Sequence, residues 1–361
     1  MRVSVPTIPA ALLRDATSAQ TISPAAAVER VADFLAPGNV ALITGAGVSV
    51  DSGIRAYRGA KGRYLNPNYR PIFYHELMDE TAKGVAYRKR YWLRSYLGYP
   101  PVRDALPNTT HFALAALQYR NVIPRLITQN VDGLHHKALA HVWDQPRLHE
   151  RILELHGTLH KVNCNHGHAT DRGIFQDMLS AANPQWKAFA DELELTGKRP
   201  RTNPDGDVVL EGVSFDEFVI PDCPSCLEEG RRNSVHKPDV IFFGESISKE
   251  VKDRSFRDVE ECDRLFLLGT TLATFSAFRL LRHALELKKP VLLLNVGPTR
   301  ADGIPGVEKL EIPSNVVMRD AVRTLLSSQT IEDLTVEEML RSGVNQPPPD
   351  DEDDTAPRSV G

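Results

Sequence analysis

Three cysteines and two histidines fall in one polar stretch of this chain. Cys164 stands in "NCNHGH" with His166 and His168 behind it, and Cys223 and Cys226 form a C-x-x-C pair in "PDCPSCLEE". A C-x-x-C pair is half of a tetrahedral structural zinc site, which takes four thiolate or imidazole ligands. Cys164 with one of the histidines is the candidate for the other half. The fourth cysteine, Cys262, lies in the apolar stretch "CDRLFLLGT" and reads as a buried strand-end residue.

Three further stretches have residue types suited to chemistry. In "ITGAGVSVDSGIRAYRG", Gly45 and Gly47 follow an apolar run, where glycines let backbone N–H groups approach a pyrophosphate at a helix N-terminus. The next glycine is Gly53, so the spacing departs from the dehydrogenase G-x-G-x-x-G fingerprint. In "TQNVDGLHHKA", Gln129, Asn130 and Asp132 cluster beyond another apolar run, as a functional group or as a helix cap. In "LELHGT", His156 is either a satisfied structural histidine or, facing a cleft, a general base.

Short apolar runs ending at glycine or a small polar residue position these groups. Asn39–Gly47, Val122–Asn130, Pro238–Glu245, Asp263–Thr271 and Pro290–Gly297 each read as a buried strand of a parallel sheet. Helical patterns such as "AAAVERVADFLA" before the first of them, and "NTTHFALAALQYR" and "SAFRLLRHALELKK" between others, accompany these runs. This alternation implies an α/β fold with a Rossmann-like, doubly wound parallel sheet, in which ligands sit at the carboxyl ends of the strands. Residues 25–158 and 238–330 are assigned to that domain. Residues 159–237 are polar and turn-rich, and are expected to form a small zinc-binding domain that needs the ion to hold together. Residues 344–361, Pro-rich and acidic, read as a disordered tail.

The 361 residues include 43 basic and 47 acidic side chains, a balance that offers no electrostatic case for direct nucleic-acid binding. No apolar run is long enough for a membrane span. Four cysteines with a C-x-x-C pair read as an intracellular metal site, not a secreted disulfide framework. Residues 1–24 are a leader expected to be disordered. Its first twenty residues carry two Arg, one Asp and no Glu, compatible with a mitochondrial transit peptide or a plain leader.

Taken in order, "GAGVSVDSGI", "YRG", "TQNVDGLH", "LELHGT", the two-part cysteine site, "PDVIFFGE", "LGTTL" and "LNVG" resemble the sirtuins, NAD-dependent protein-lysine deacylases, over residues 25–325. "RKRYWLRSYLGYP" is further similar to the class II, mitochondrial sirtuin-four-like branch. The resemblance implies that Gly45, Ala46, Gly47, Ser49, Ser52 and Gly53 lie along the phosphates of NAD, with Tyr57 and Arg58 on a mobile cofactor loop. It places Gln129, Asn130 and Asp132 around the nicotinamide and its ribose, and Gly269, Thr270, Thr271 and Asn295 at the adenosine half. His156 and Asn130 become the catalytic residues. Ile241, Phe242, Phe243, Gly244 and Glu245 become the strand that pairs with an acyl-lysine protein substrate, Phe243 lining the acyl tunnel.

Two departures from the family pattern stand out. Arg55 and Ala56 replace a proline and an aspartate of the cofactor loop, and Gly167 replaces the second upstream zinc cysteine. A three-cysteine, one-histidine set is an accepted structural zinc site. His168 is the expected fourth ligand with Cys164, Cys223 and Cys226, because the single residue before His166 leaves little loop for convergence. The alternative is a degenerate site without an ion.

The resemblance implies deacylation that releases nicotinamide and O-acyl-ADP-ribose. The competing readings are mono-ADP-ribosyl transfer from the same NAD site, a non-catalytic NAD sensor and, last, a dehydrogenase. No clear Tyr-x-x-Arg pair is found after the cofactor loop, which disfavours succinyl or malonyl groups. The branch and the leader together imply the mitochondrial matrix, with cytoplasm or nucleus as the alternative.

Overall fold

The computed structural model describes residues 7–9, 22–58, 71–196, 208, 210, 214–326 and 333–348. The leader apart from those few residues, the middle of the cysteine segment and residues 349–361 lie outside the described residues.

The first helix, α1 (Pro24–Leu35), opens where Ser23 accepts from the Ala26 N–H and proline occupies the first turn. Strand β1 (Val40–Thr44) follows, buried at every position. Next come α2 (Tyr74–Leu77), α3 (Ala82–Asp104) and α4 (Thr109–Tyr119), the last started by a capping box between Asn108 and His111. Then follow β2 (Arg125–Thr128), α5 (Leu134–Leu139), α6 (Gln145–Arg151) and β3 (Ile152–Glu154). A separate group holds β4 (Gly157–Cys164), β5 (Ala169–Asp171), α7 (Arg172–Ala182), α8 (Pro184–Thr196), α9 (Pro224–Glu228) and β6 (His236–Val240). The chain then returns through α10 (Lys249–Glu261), β7 (Arg264–Leu268), α11 (Phe275–Glu286), β8 (Val291–Leu294), β9 (Val307–Leu310), α12 (Ser314–Leu326) and α13 (Leu334–Arg341).

Six strands form a parallel sheet in the order β3-β2-β1-β7-β8-β9. Side chains alternate across it with the period of two that a strand imposes. Leu42, Leu126, Phe266 and Leu292 join the core under α1, α4, α12 and α13. Ala41, Ile43, Ile127 and Leu267 join the opposite core under α10 and α11. The chain leaves β1 toward β2 on one side and later returns to its other side as β7. That reversal opens a crevice at the carboxyl ends of β1 and β7.

A second sheet has the order β5-β4-β6 and is antiparallel. It corrects the reading of Pro238–Glu245 as a strand of the parallel sheet. The strand ends at Val240, and burial along β6 alternates, as in a strand covered on one face only. Beyond it, the Glu245 N–H returns to the Phe242 carbonyl and turns the chain.

Residues 159–237 share their core with side chains from outside the segment. Val162, Phe175, Leu179 and Phe218 are buried together with Tyr91, Trp92, Tyr96 and Leu97 of α3. Trp92 and Phe175 lie 4.7 Å apart, ring centroid to ring centroid. Helix α3 thus packs with the small sheet, although it precedes residue 159. The segment from residue 344 was expected to be disordered, yet its described part is tied down. The Val344 N–H donates to the Pro107 carbonyl, and the Gln346 N–H donates to the Asp51 carbonyl.

Candidate functional site

The crevice is built from backbones in close contact. A Cβ added at Gly45 or Gly47 would lie 2.8 Å from the Gly269 carbonyl oxygen, and one at Gly269 would lie 2.7 Å from the Val48 nitrogen. The glycines are therefore required by the mutual packing of the loops after β1 and β7. The Gly47 N–H donates to the Gly269 carbonyl across the same contact.

Around it the structure brings together most of the cofactor residues read from the sequence. Ser49 Oγ donates to Asp132 Oδ2 at 2.7 Å, and Asn130 Nδ2 donates to Ser49 Oγ at 3.1 Å and to the Gly45 carbonyl at 3.2 Å. All three side chains are buried. Asp132 Oδ1 also accepts from the Leu134 N–H, the first of α5, whose N-cap is Gly133. Gln129 spans the crevice: its Nε2 donates to Thr270 Oγ1 and the Thr44 carbonyl, and its Oε1 accepts from Thr274 Oγ1. Asn295, at the end of β8, donates to the Val296 carbonyl at 2.8 Å. Thr271 lies in the turn after Gly269, its carbonyl accepting from the Arg300 N–H.

Among the cofactor-loop residues, Ser52 is buried, and its Oγ has no hydrogen-bond partner among the described residues. Gly53 follows it, and Ile54 packs on Ala105 and Leu134. Arg55, Ala56, Tyr57 and Arg58 continue outward along the loop. The N–H groups of Gly45 and Gly47 are both used within the protein, on the Leu268 and Gly269 carbonyls, so the expected approach of these two N–H groups to a pyrophosphate is not what this structure shows. The unpartnered Ser52 hydroxyl and the hydroxyl and amide groups at the strand ends fit a dinucleotide with ribose and carboxamide groups.

His156 follows β3, on the edge of the crevice. Its Nδ1 lies 3.1 Å from the Gln129 carbonyl oxygen, which only accepts, so Nδ1 carries the proton and Nε2 the lone pair. Dense surroundings lower its pKa from 6.5 to about 4, chiefly by desolvation, so the ring is neutral near pH 7. The next residue, Gly157, has φ +77, and a Cβ there would strike the Asp239 carbonyl at 1.8 Å. This close approach lets the His156 carbonyl accept from the Ile241 N–H at 2.9 Å, joining the histidine to the turn after β6.

Ile241, Phe242, Phe243, Gly244 and Glu245 form that turn, not an extended strand. The Phe243 carbonyl accepts from the Tyr74 N–H, and its ring lies 6.2 Å from Phe73. Glu245 pairs with Lys237 at 2.8 Å and accepts from the Phe242 N–H, bracing the turn. Tyr91 and Arg94 on α3 do carry the Tyr-x-x-Arg spacing not found in the sequence reading. Tyr91 meets Phe242 edge-on at 5.7 Å, and Arg94 Nε donates to the Val208 carbonyl. Acidic acyl groups are therefore not disfavoured on the ground of a missing pair.

The metal-ligand candidates converge. Cys164, Cys223 and Cys226 Sγ and His168 Nδ1 all lie within 4.8 Å of one another. The three sulfur–nitrogen distances are 3.6, 3.6 and 3.4 Å, and Cys164 Sγ is 3.9 Å from Cys226 Sγ. Ligands at tetrahedral corners around zinc stand about 3.5 Å apart for sulfur and nitrogen and about 3.8 Å for two sulfurs. The donor set therefore fits zinc. His166 is exposed and offers Cys164 Sγ only its backbone N–H, and the Cys164 N–H pairs with the His168 carbonyl across the β4–β5 turn.

The Sir2 family model matches residues 45–276. The chain belongs to the Sir2 family. It is 39% identical over 303 residues to the NAD-dependent protein deacylase SIR4 of Batrachochytrium dendrobatidis, covering 82% of this chain and 93% of that one. It is 35% identical to the mitochondrial NAD-dependent protein lipoamidase sirtuin-4 of Bos taurus, covering 74% of this chain and 76% of that one. A solved Sir2 homolog–NAD complex shares the fold, with a TM-score of 0.57 and 24% identity over 83% of this chain and 94% of that one.

Some residues around the candidate site were not singled out from the sequence. His135 Nε2 lies 2.9 Å from Thr44 Oγ1 beneath the crevice, and its ring lies 4.8 Å from that of His111. Glu229 Oε1 lies 3.1 Å from His168 Nε2, and Ser276 Oγ lies 2.7 Å from His156 Nε2. His135 stood inside the quoted "DGLHH", and Ser276 in the first turn after a strand end. Their partners, however, are 91 and 120 residues away in the chain.

Proposed function

We propose that this Sir2-family protein is an NAD-dependent protein-lysine deacylase, with nicotinamide, O-acyl-ADP-ribose and free lysine as its products. The observation that carries this reading is His156: its Nδ1–H is held by the Gln129 carbonyl, its Nε2 carries the lone pair and meets only the Ser276 hydroxyl among the described contacts, and its own carbonyl binds the turn that would meet the substrate. The names of the relatives support the activity.

NAD supplies the ribose from which the acyl oxygen displaces nicotinamide, and the ribose hydroxyl that then takes the acyl group. Asn130 and Asp132 form a buried group for the nicotinamide end, bridged by Ser49 of the phosphate loop, and Gln129 ties it to the adenosine side through Thr270. Preset side chains of this kind reduce the cost of orienting the glycosidic bond. His156 accepts the ribose hydroxyl proton at Nε2. Because its pKa lies near 4, the ring is already in its basic form at neutral pH. A peptide beside residues 241–245 would bind largely through its main chain, which gives broad sequence tolerance.

Zinc held by Cys164, His168, Cys223 and Cys226 braces the small sheet and takes no part in the chemistry. The mitochondrial matrix is the proposed location, supported by the Bos taurus relative and the leader composition. No described helix is long and apolar enough to cross a membrane. Mass analysis of the reaction with NAD and acyl-lysine peptides tests the reading: O-acyl-ADP-ribose is expected, and its absence alongside transfer of ADP-ribose to protein would overturn it.

A further inference from the structure

Ser276 occupies the first turn of α11 and reaches back to the crevice. Its Oγ lies 2.7 Å from His156 Nε2. The other ring nitrogen faces the Gln129 carbonyl, which leaves Nε2 as the acceptor and makes the Ser276 hydroxyl the donor. The loop that carries Ser276 is itself fixed to Gln129, through Thr274 Oγ1 to Gln129 Oε1 at 3.1 Å. Both ring nitrogens of His156 are therefore oriented by one unit, the 129 loop and the start of α11.

We propose that Ser276 is a positioning residue for the acyl-transfer step: it holds the His156 lone pair toward the crevice and yields that bond to the ribose hydroxyl when the cosubstrate is in place. The inference rests on the deacylase reading above. In the step concerned, the ribose O–H bond breaks as its proton passes to His156 Nε2, the ribose oxygen bonds to the acyl carbon, and the π pair between that carbon and the lysine nitrogen moves onto the nitrogen. Ser276 neither gains nor loses a covalent bond. One rotation about its Cα–Cβ bond releases the nitrogen, so the hydroxyl orients the base without blocking it permanently. Nicotinamide departure comes before this proton transfer and requires neither His156 Nε2 nor Ser276.

The test measures two reactions on the same purified full-length protein with NAD and an acyl-lysine peptide. One is steady-state formation of O-acyl-ADP-ribose; the other is exchange of labelled nicotinamide into NAD, which reports the earlier step alone. Ser276→Ala is expected to lower kcat for product formation about tenfold, as misorientation of a reacting group does. Exchange and the KM for NAD should stay within about twofold of wild type by the same argument, and Ser276→Thr should restore turnover. Ser276→Ala that turns over like wild type would overturn the proposal, as would equal loss of exchange and turnover in a folded protein. A wild-type protein that forms no O-acyl-ADP-ribose would instead overturn the deacylase reading, and His156→Ala that loses exchange would overturn the assigned order of steps.

Discussion

His168 turns its two ring nitrogens to different partners: Nε2 lies 3.1 Å from Glu229 Oε1, and Nδ1 faces the three thiols. A carboxylate on the far nitrogen fixes both the tautomer and the orientation of a metal-binding histidine. Asn233 Nδ2 adds a hydrogen bond to Cys226 Sγ at 3.3 Å. Glu229→Gln should weaken zinc binding about tenfold, the lower end of the usual range for such a partner. Competition with a chromophoric chelator measures this. His168→Ala should lose the ion on dialysis, whereas His166→Ala should keep it.

Removing the ion should loosen the small sheet before the large one. The ligands come from the β4–β5 turn and the start of α9, and metal binding joins them. Chelation is expected to speed amide exchange in residues 157–171 and 236–240 while β1, β2 and β7 stay protected. The core shared by α3 and Phe175 should keep the module from unfolding outright.

Gly47→Ala tests the crevice packing. The added methyl would meet the Gly269 backbone at 2.8 Å, so the two loops must separate. A cost of about 1–3 kcal/mol is expected, typical of overpacking. It would appear in denaturant unfolding, together with weaker NAD binding by calorimetry.

Stability should peak between mildly acidic and neutral pH. Burial lowers the pKa of His111, His136 and His156 to about 4, and holds that of His135 well below its usual value. Their unfolded values lie near 6.5, so the stability they contribute is complete above about pH 6.5 and is lost as pH falls toward 4. Glu154 acts in the opposite sense. Desolvation, with the Asp132 charge adding to it, raises its pKa from 4.5 to about 8, so its contribution is complete below about pH 4.5 and is lost as pH rises toward 8. Thermal unfolding against pH should show both declines, and Glu154→Gln should flatten the alkaline one.

The C-terminal segment should support the cofactor loop. Gln346 pairs beside Ser52 and donates to the Asp51 carbonyl at 2.7 Å, while α13 packs under α4. Ending the chain after residue 343 should raise the KM for NAD several-fold with little change in kcat, as expected when a binding loop loses support. Removing only residues 349–361 should change neither.

The parallel sheet was legible in the sequence because strands buried on both faces leave continuous apolar runs such as "VALIT" and "RLFLL". The clustering of Cys164, Cys223 and Cys226 with a nearby histidine was legible from cysteine spacing, and the grouping of Gln129, Asn130 and Asp132 from their place beyond an apolar run, whereas the other cofactor-site candidates came from the resemblance to the sirtuins. The turn at Ile241–Glu245 was not legible, because an apolar run does not reveal where a strand stops. Nor did local composition reveal that α3 completes the small module's core, since Trp92 and Phe175 are far apart in sequence. The same applies to Ser276 and Glu229, which matter only through histidines that the fold brings to them.

The most direct measurement is nicotinamide release by the purified protein with NAD and a panel of acyl-lysine peptides, beside His156→Ala. The account predicts sustained release that requires an acyl-lysine peptide, yields O-acyl-ADP-ribose and is lost in the mutant. NAD binding without release on any acyl peptide would contradict it, leaving an NAD sensor or a transferase and directing attention to Arg55 and Ala56.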